Sequence, residues 1–92
     1  MNIFDAKDAI RVTRASLEQM FPESIAYIYD QIKKQSQWGS NGLTISESKA
    51  IPKNIMPDIE RYFRLRGFYV YYRVWPDGDH RIQLKWALSE DA

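Results

Sequence analysis

The feature that most constrains this chain is a pair of apolar, aromatic-rich runs that flank a Pro-Asp-Gly turn. The runs are GFYVYYRV and RIQLKWAL, which begin at Gly67 and at Arg81. Both are rich in the aromatic and β-branched residues that favour strands. Two such runs joined by a short, Gly-containing turn predict a β-hairpin.

The turn also predicts how the two strands pair. If Pro76, Asp77 and Gly78 form a three-residue loop, Trp75 lies opposite Asp79 and every other pair follows. Side chains alternate between the two faces of a strand, so this register separates apolar from polar residues on both strands at once. The apolar face carries Phe68, Val70, Tyr72, Ile82, Leu84 and Trp86. The second face, with three positive charges and no carboxylate, carries Tyr69, Tyr71, Arg73, Arg81, Gln83 and Lys85.

Three helices and one further strand are predicted before the hairpin. The first helix spans 5–20, with Asp5 as its N-cap and Asp8 in its first turn. The second begins at Pro22 and spans 22–37. A short strand at 43–46 precedes the third helix, which we expect to begin at an Asn54 N-cap and to end at Gly67.

Two ion pairs are expected on the surfaces of these helices. Glu18 lies four residues after Arg14, and Arg64 lies four residues after Glu60. Side chains at this spacing are neighbours on a helix surface.

These elements predict an α+β fold with two layers, in the order helix, helix, strand, helix, strand, strand. A lone hairpin is only marginally stable, so the 43–46 strand should join it as the third strand of an antiparallel sheet. The helices at 22–37 and 54–66 should then cover the apolar face. We predict a single domain over 1–92, with an α/β core at 21–88. The helix at 1–20 either docks on this core or forms a separate arm.

Composition limits the classes of function. The net charge of the 92-residue chain is +1, which predicts neither a nucleic-acid coat nor an acidic mimic. There is no cysteine, so disulfides and thiolate metal sites are excluded. The N-terminus has no signal-peptide pattern, and no apolar run approaches the length of a membrane span. We therefore predict a cytoplasmic protein with no membrane partner.

The basic and aromatic hairpin face is the sharpest candidate for a binding surface. Tyr and Arg are enriched at the energetic centres of protein interfaces, which suggests a protein partner. The same side chains occur on the solvated side of ordinary antiparallel sheets, and this reading stays open. The residues predicted to bind a partner are Tyr69, Tyr71, Arg73, Trp75, Arg81, Gln83 and Lys85. Trp38 and Trp75 would either cap the edge of the core or, if exposed, anchor a partner.

A nucleic-acid-binding protein is the alternative, because aromatic rings stack on bases while cations follow phosphates. Basic residues of the third helix and the segment before it could extend the surface. The set for this alternative is Lys53, Arg61, Arg64, Tyr69, Tyr71, Arg73, Arg81 and Lys85.

No pattern in the sequence predicts catalysis. His80 is the only histidine and lies beside Asp77 and Asp79 in the turn, but this spacing matches no established metal site. No Gly-rich loop is placed to hold a phosphate, and no nucleophile is paired with the histidine. We therefore predict a protein that is not an enzyme and uses no metal or cofactor.

The run from Ile28 to Trp86 resembles small accessory proteins of tailed bacteriophages. The resemblance rests on four structural motifs: Gln37-Trp38-Gly39, Leu43-Thr44-Ile45-Ser46, Arg66-Gly67-Phe68 and Ile82-Gln83-Leu84-Lys85-Trp86. It implies a phage-encoded protein that binds host machinery or defence components, as an inhibitor or a host-takeover factor. The leading expectation is therefore a regulatory protein that docks on a host protein. An uncovered aromatic face, or an unpaired edge at 43–46, would favour a homodimer, and the oligomeric state is left open.

Overall fold

The computed structural model describes residues 4–86, so the predicted end of the core at residue 88 lies outside the described residues. The described chain is an α+β fold with a three-stranded antiparallel sheet, as predicted. Its elements are α1 (Ala6–Met20), α2 (Pro22–Gln37), β1 (Gly42–Ser46), a 3₁₀ turn (Lys53–Ile55), α3 (Met56–Leu65), β2 (Tyr69–Val74) and β3 (His80–Lys85). No helix within residues 4–86 combines the length and the apolar composition needed to cross a membrane.

The predicted hairpin and its register are confirmed. β2 and β3 pair antiparallel, with Val70 opposite Leu84 and Tyr71 opposite Gln83. The Trp75 amide donates to the carbonyl oxygen of Asp79 at 2.8 Å, which closes a three-residue loop. Gly78 ends this loop with φ of 86°, a left-handed conformation that a residue without a Cβ adopts at little cost.

The predicted third strand is also confirmed. β1 pairs antiparallel with β3, so the strand order is β1-β3-β2 and β3 lies at the centre. Leu43 and Ile45 lie opposite Leu84 and Ile82, on the apolar face. The first residue of the strand is Gly42. A side chain would clash at this position, because a Cβ there would lie 2.5 Å from the carbonyl oxygen of Leu84.

The helices cover this apolar face, as the sequence predicted. Val70, Ile82 and Leu84 are buried beneath side chains from α2 and α3 and from the segment before α3. The fully covered members of this core are Ile28, Ile51, Met56, Ile59, Tyr62, Phe63, Ile82 and Leu84.

α3 joins β2 through the predicted glycine. Gly67 has φ of 97°, and the Phe68 amide donates back to the Phe63 carbonyl at 3.0 Å. This pattern is a Schellman motif, and the rings of Phe63 and Phe68 supply its apolar contact at 5.6 Å between centroids. The motif turns the chain directly from the covering helix into the edge strand.

The predicted Asn54 N-cap is wrong. Asn54 lies inside the 3₁₀ turn, and α3 begins one residue after Ile55, with no side chain capping its first amides. Pro57 falls in the first helical turn, where its missing N–H has no cost. The turn places Met56 in the core, and burial of this side chain outweighs the loss of a cap.

α1 begins as predicted, with a capping box in which Asp5 and Asp8 each accept from the other's backbone amide. Its C-terminal half packs on the other helices through Leu17, which is buried. The predicted Arg14–Glu18 pair is wrong, because the Tyr62 hydroxyl of α3 donates to Glu18 at 2.6 Å instead.

The Tyr62 hydroxyl is part of a chain of polar contacts that ties α1, α2 and α3 together. The Tyr29 hydroxyl lies 3.1 Å from that of Tyr62, and the Nε of Arg66 donates to Tyr29 at 3.0 Å. Burial, together with the hydrogen bond to Glu18, raises the pKa of Tyr62 well above its usual value. The phenol therefore stays neutral and donates to the carboxylate.

Leu84→Asp is expected to abolish cooperative folding, because it places a carboxylate at a fully buried position of the central strand. The milder Leu84→Ala should lower the free energy of unfolding by about 2–5 kcal/mol. Urea denaturation followed by circular dichroism measures both. Gln83→Asp is the matched control, since it adds the same charge one residue away on the uncovered face. A cooperative transition of wild-type midpoint in Leu84→Asp would contradict this assignment of the core.

Candidate partner-binding surface

The sheet has one face that no described helix covers, and we call it the open face. It is built from alternate residues of the three strands, because the other residues of each strand point into the core. The open face consists of Gly42, Thr44, Ser46, Tyr69, Tyr71, Arg73, Trp75, Asp79, Arg81, Gln83 and Lys85.

Two tyrosines of β2 are exposed large side chains on the open face. Tyr69 and Tyr71 are each 46% exposed. The guanidinium carbon of Arg73 lies 6.0 Å from the centroid of the Tyr71 ring, at the outer limit of a cation–π contact. These three predicted residues therefore lie together, on a strand whose backbone is fixed by pairing.

Arg81 lies beside the turn, and its guanidinium already has contacts with other side chains of the hairpin. Its guanidinium stacks over the Trp75 ring at 4.6 Å, and its Nε donates to Asp79 at 2.6 Å. Asp77 lies 3.5 Å from another of its nitrogens. The expectation of a face without carboxylates is therefore wrong, since Asp79 shares the face with Arg81.

The remaining predicted residues on the open face lie on β3. Lys85 pairs with Tyr69 on one side and with Gly42 on the other, and its side chain passes over the glycine. Gln83 lies between Tyr71 and Thr44. Because Gly42 has no side chain, a shallow hollow opens here between β1 and β3.

The basic residues proposed for nucleic acid do not form one surface with these. Lys53 and Arg61 belong to the helix layer, on the opposite side of the sheet, and Arg61 pairs with Asp58 at 2.7 Å. Arg64 borders Tyr69 and Tyr71 at the sheet edge, but the predicted pair with Glu60 forms at 3.0 Å and occupies its guanidinium.

The two tryptophans left open by the sequence differ in exposure. Trp38 follows α2 and is 76% exposed, whereas Trp75 is half-buried beneath Arg81. The indole nitrogen of Trp75 is buried and has no hydrogen-bond partner among the described residues. Trp75 therefore caps the turn end of the sheet, and Trp38 has the exposure expected of an anchor.

His80 lies on the covered side of the sheet, away from Asp79. Its ring stacks on that of Tyr72, and its Nδ1 lies 2.5 Å from the Tyr72 hydroxyl. This contact gives the histidine a local partner in the hairpin.

Sequence reasoning missed a contact between α3 and the outer edge of β2. Arg64 donates from Nε and Nη2 to the carbonyl oxygen of Val70, at 3.1 and 2.8 Å. Glu60 accepts from the amide of Tyr72 at 3.2 Å. We call this pair of side chains the Glu60–Arg64 plug, because it bonds two of the backbone groups that a neighbouring strand would bond along β2. The spacing of Glu60 and Arg64 predicts the pair, but nothing in the sequence points to its backbone partners.

Comparison of the chain with protein-family models, curated proteins and solved structures gave no match. The resemblance to bacteriophage accessory proteins accordingly stays a prediction.

A titration tests the contact between Arg81 and Asp79. The hydrogen bond from Arg81 lowers the pKa of Asp79 below its usual 3.8, so the ion pair stabilises the fold above that pH. This contribution is lost as the pH falls through the depressed pKa. In Arg81→Gln we expect the pKa of Asp79 to rise toward 3.8, measured by carboxyl NMR chemical shifts. Arg73→Gln is the control, and an unchanged Asp79 pKa in Arg81→Gln would rule out the contact.

Proposed function

We propose that this protein is a non-enzymatic binding protein that docks on another protein through its open face. The observation that carries the proposal is the group of Tyr69, Tyr71 and Arg73, with both rings 46% exposed on a rigid strand. Large apolar surfaces left in water favour association, and Tyr and Arg are the side chains that most often supply its energy.

The arrangement suits a protein partner, because β2 and its side chains lose little conformational freedom on binding. β2 is held by β3 along one side and by the Glu60–Arg64 plug along the other. Tyrosine rings add contact area with few rotatable bonds, so the cost of ordering them is small. The fitting partner offers apolar pockets for the two rings and a carboxylate for Arg73.

Charge favours a protein over a nucleic acid. Arg81 is neutralised by Asp77 and Asp79, and these carboxylates would repel phosphates at the turn. Arg61 and Arg64 are paired as well. Arg73 and Lys85 make no ion pair within residues 4–86, which leaves a weak positive field on the open face.

The sequence resemblance to bacteriophage accessory proteins supports a more specific proposal. In this proposal the partner is a bacterial host protein, and the chain acts in the host cytoplasm as an inhibitor or an anti-defence factor. The absence of a cysteine from the chain is compatible with a reducing compartment.

A double substitution on the open face tests the docking proposal. A partner is first captured from bacterial lysate and identified by mass spectrometry, and its affinity is then measured with purified components. Tyr71→Ala combined with Arg73→Ala should weaken binding by about 30-fold or more, as expected for a central Tyr and Arg. The circular dichroism spectrum should not change, because both side chains point away from the core.

The matched control combines Tyr27→Ala with Arg61→Ala. It removes an exposed tyrosine of α2, 40% accessible, and an exposed arginine of α3, both on the helix layer. Its affinity should stay within about threefold of wild type. Equal affinities for the two double variants would remove the open face as the docking surface.

A salt titration tests the nucleic-acid alternative. Single- and double-stranded oligonucleotides are titrated into the protein at two ionic strengths, with fluorescence anisotropy as the readout. We expect weak binding with a shallow dependence on salt, because few cations on the open face are unpaired. Affinity that falls steeply with salt, and falls further in Arg73→Ala with Lys85→Ala, would instead support the nucleic-acid alternative.

A further inference from the structure

The two edge strands of the sheet, β1 and β2, differ in whether other parts of the chain bond their outward backbone groups. Along β2, the Glu60–Arg64 plug satisfies the outward carbonyl of Val70 and the outward amide of Tyr72. Along β1, no described residue bonds the outward backbone groups of Gly42, Thr44 or Ser46. Unpaired strand edges are templates for another strand, and proteins usually block them with charge, proline or a bulge. β1 has none of these three.

The direction of the free groups follows from the pairing of β1 with β3. The amide of Glu47 donates to the His80 carbonyl at 2.8 Å, and the amide of Trp86 donates to Asn41 at 3.0 Å. Odd-numbered residues of this segment therefore bond to β3, and the even-numbered ones direct their N–H and C=O groups outward. The outward residues are Gly42, Thr44 and Ser46.

This edge is complementary to itself. In an antiparallel pair of two β1 strands centred on Thr44, each Thr44 lies opposite the other, and Gly42 lies opposite Ser46. All three outward residues of each strand then meet outward residues of the other, which provides about six hydrogen bonds. A two-fold axis through Thr44 is the symmetry of the commonest protein dimers.

The side chains agree with such a pairing. On the open face, Thr44 would lie against Thr44, a favourable cross-strand pair, and Gly42 against Ser46. On the covered face, Leu43, which is only partly buried, would lie against Ile45. β1 carries no charged residue, so two copies approach this edge without like charges in opposition.

From these observations we infer that the β1 edge binds the β1 edge of a second copy of this chain, in antiparallel register about Thr44. The two sheets then form one six-stranded sheet with a continuous open face. This surface is distinct from the Tyr69, Tyr71 and Arg73 group, so the inference stands whether or not the open face binds a partner. The shared surface is small, so the dimer is expected to dissociate on dilution.

Substitutions at Thr44 test the register directly. Sedimentation equilibrium from about 1 µM to about 1 mM should give a monomer–dimer equilibrium for the wild type. Thr44→Pro should raise the dimer Kd by about tenfold or more, because it removes the central amide of each copy. The same substitution should preserve the monomer fold, since the Thr44 amide takes no part in pairing with β3.

A charge pair supplies the sharper measurement. Because residue 44 lies opposite itself, Thr44→Lys alone and Thr44→Glu alone should each weaken the dimer, whereas an equimolar mixture of the two should recover it as a heterodimer. The matched control is Tyr69→Lys, which adds a charge to the far strand of the open face and should leave the Kd unchanged.

Three results would overturn the inference. They are a wild type that is monomeric at every concentration, a mixture of Thr44→Lys and Thr44→Glu that stays monomeric, and a dimer that Tyr69→Lys dissolves while Thr44→Pro does not. The last result would move the interface from the β1 edge to the open face. Loss of the lysate partner in Tyr71→Ala with Arg73→Ala leaves the dimer unaffected, so the two proposals fail separately.

Discussion

The burial of Ile82 and Leu84 on the central strand is the constraint on which the rest of the structure depends. Both side chains are fully covered, and β3 pairs with a strand on either side. With these two residues in the core, alternation forces Arg81, Gln83 and Lys85 to the other face. A slip of one residue would put two cations into the core, so the register is strongly specified. The open face is thus a direct consequence of how the core is filled.

Charge divides the open face into two parts. Near the turn, Asp77 and Asp79 neutralise Arg81, whose guanidinium lies over the Trp75 ring. Farther along β2, Tyr69, Tyr71 and Arg73 lie in the open with no carboxylate bonded to them among the described residues. The charges near the turn are therefore satisfied within the chain, whereas Tyr69, Tyr71 and Arg73 are exposed to solvent.

Much of the fold could be predicted because its determinants are local. Strand alternation and a Pro-Asp-Gly turn fix the hairpin, and Gly67 fixes the end of α3. Asp79 could also have been placed beside Arg81, because residues two apart on a strand share a face. The contact between Glu18 and Tyr62 could not, since it depends on how α1 docks on a helix 44 positions away along the chain.

The candidate surface was predicted less completely than the fold, for a related reason. Its composition follows from alternation, which depends only on sequence. Whether each cation is free depends on groups brought in from other elements, as the bonds of Arg64 to the backbone carbonyl of Val70 show. The identity of a partner stays a prediction, because it depends on the surface of that partner as much as on the surface of this chain.

The Glu60–Arg64 plug has a consequence for how far this protein can assemble. A sheet whose two edges are both unpaired can add further strands without limit, which is the geometry of a fibril. Here two side chains of α3 occupy two backbone groups on the β2 edge, the carbonyl of Val70 and the amide of Tyr72. The proposed pairing of two β1 strands would occupy the other edge, so association in that direction would end at two copies.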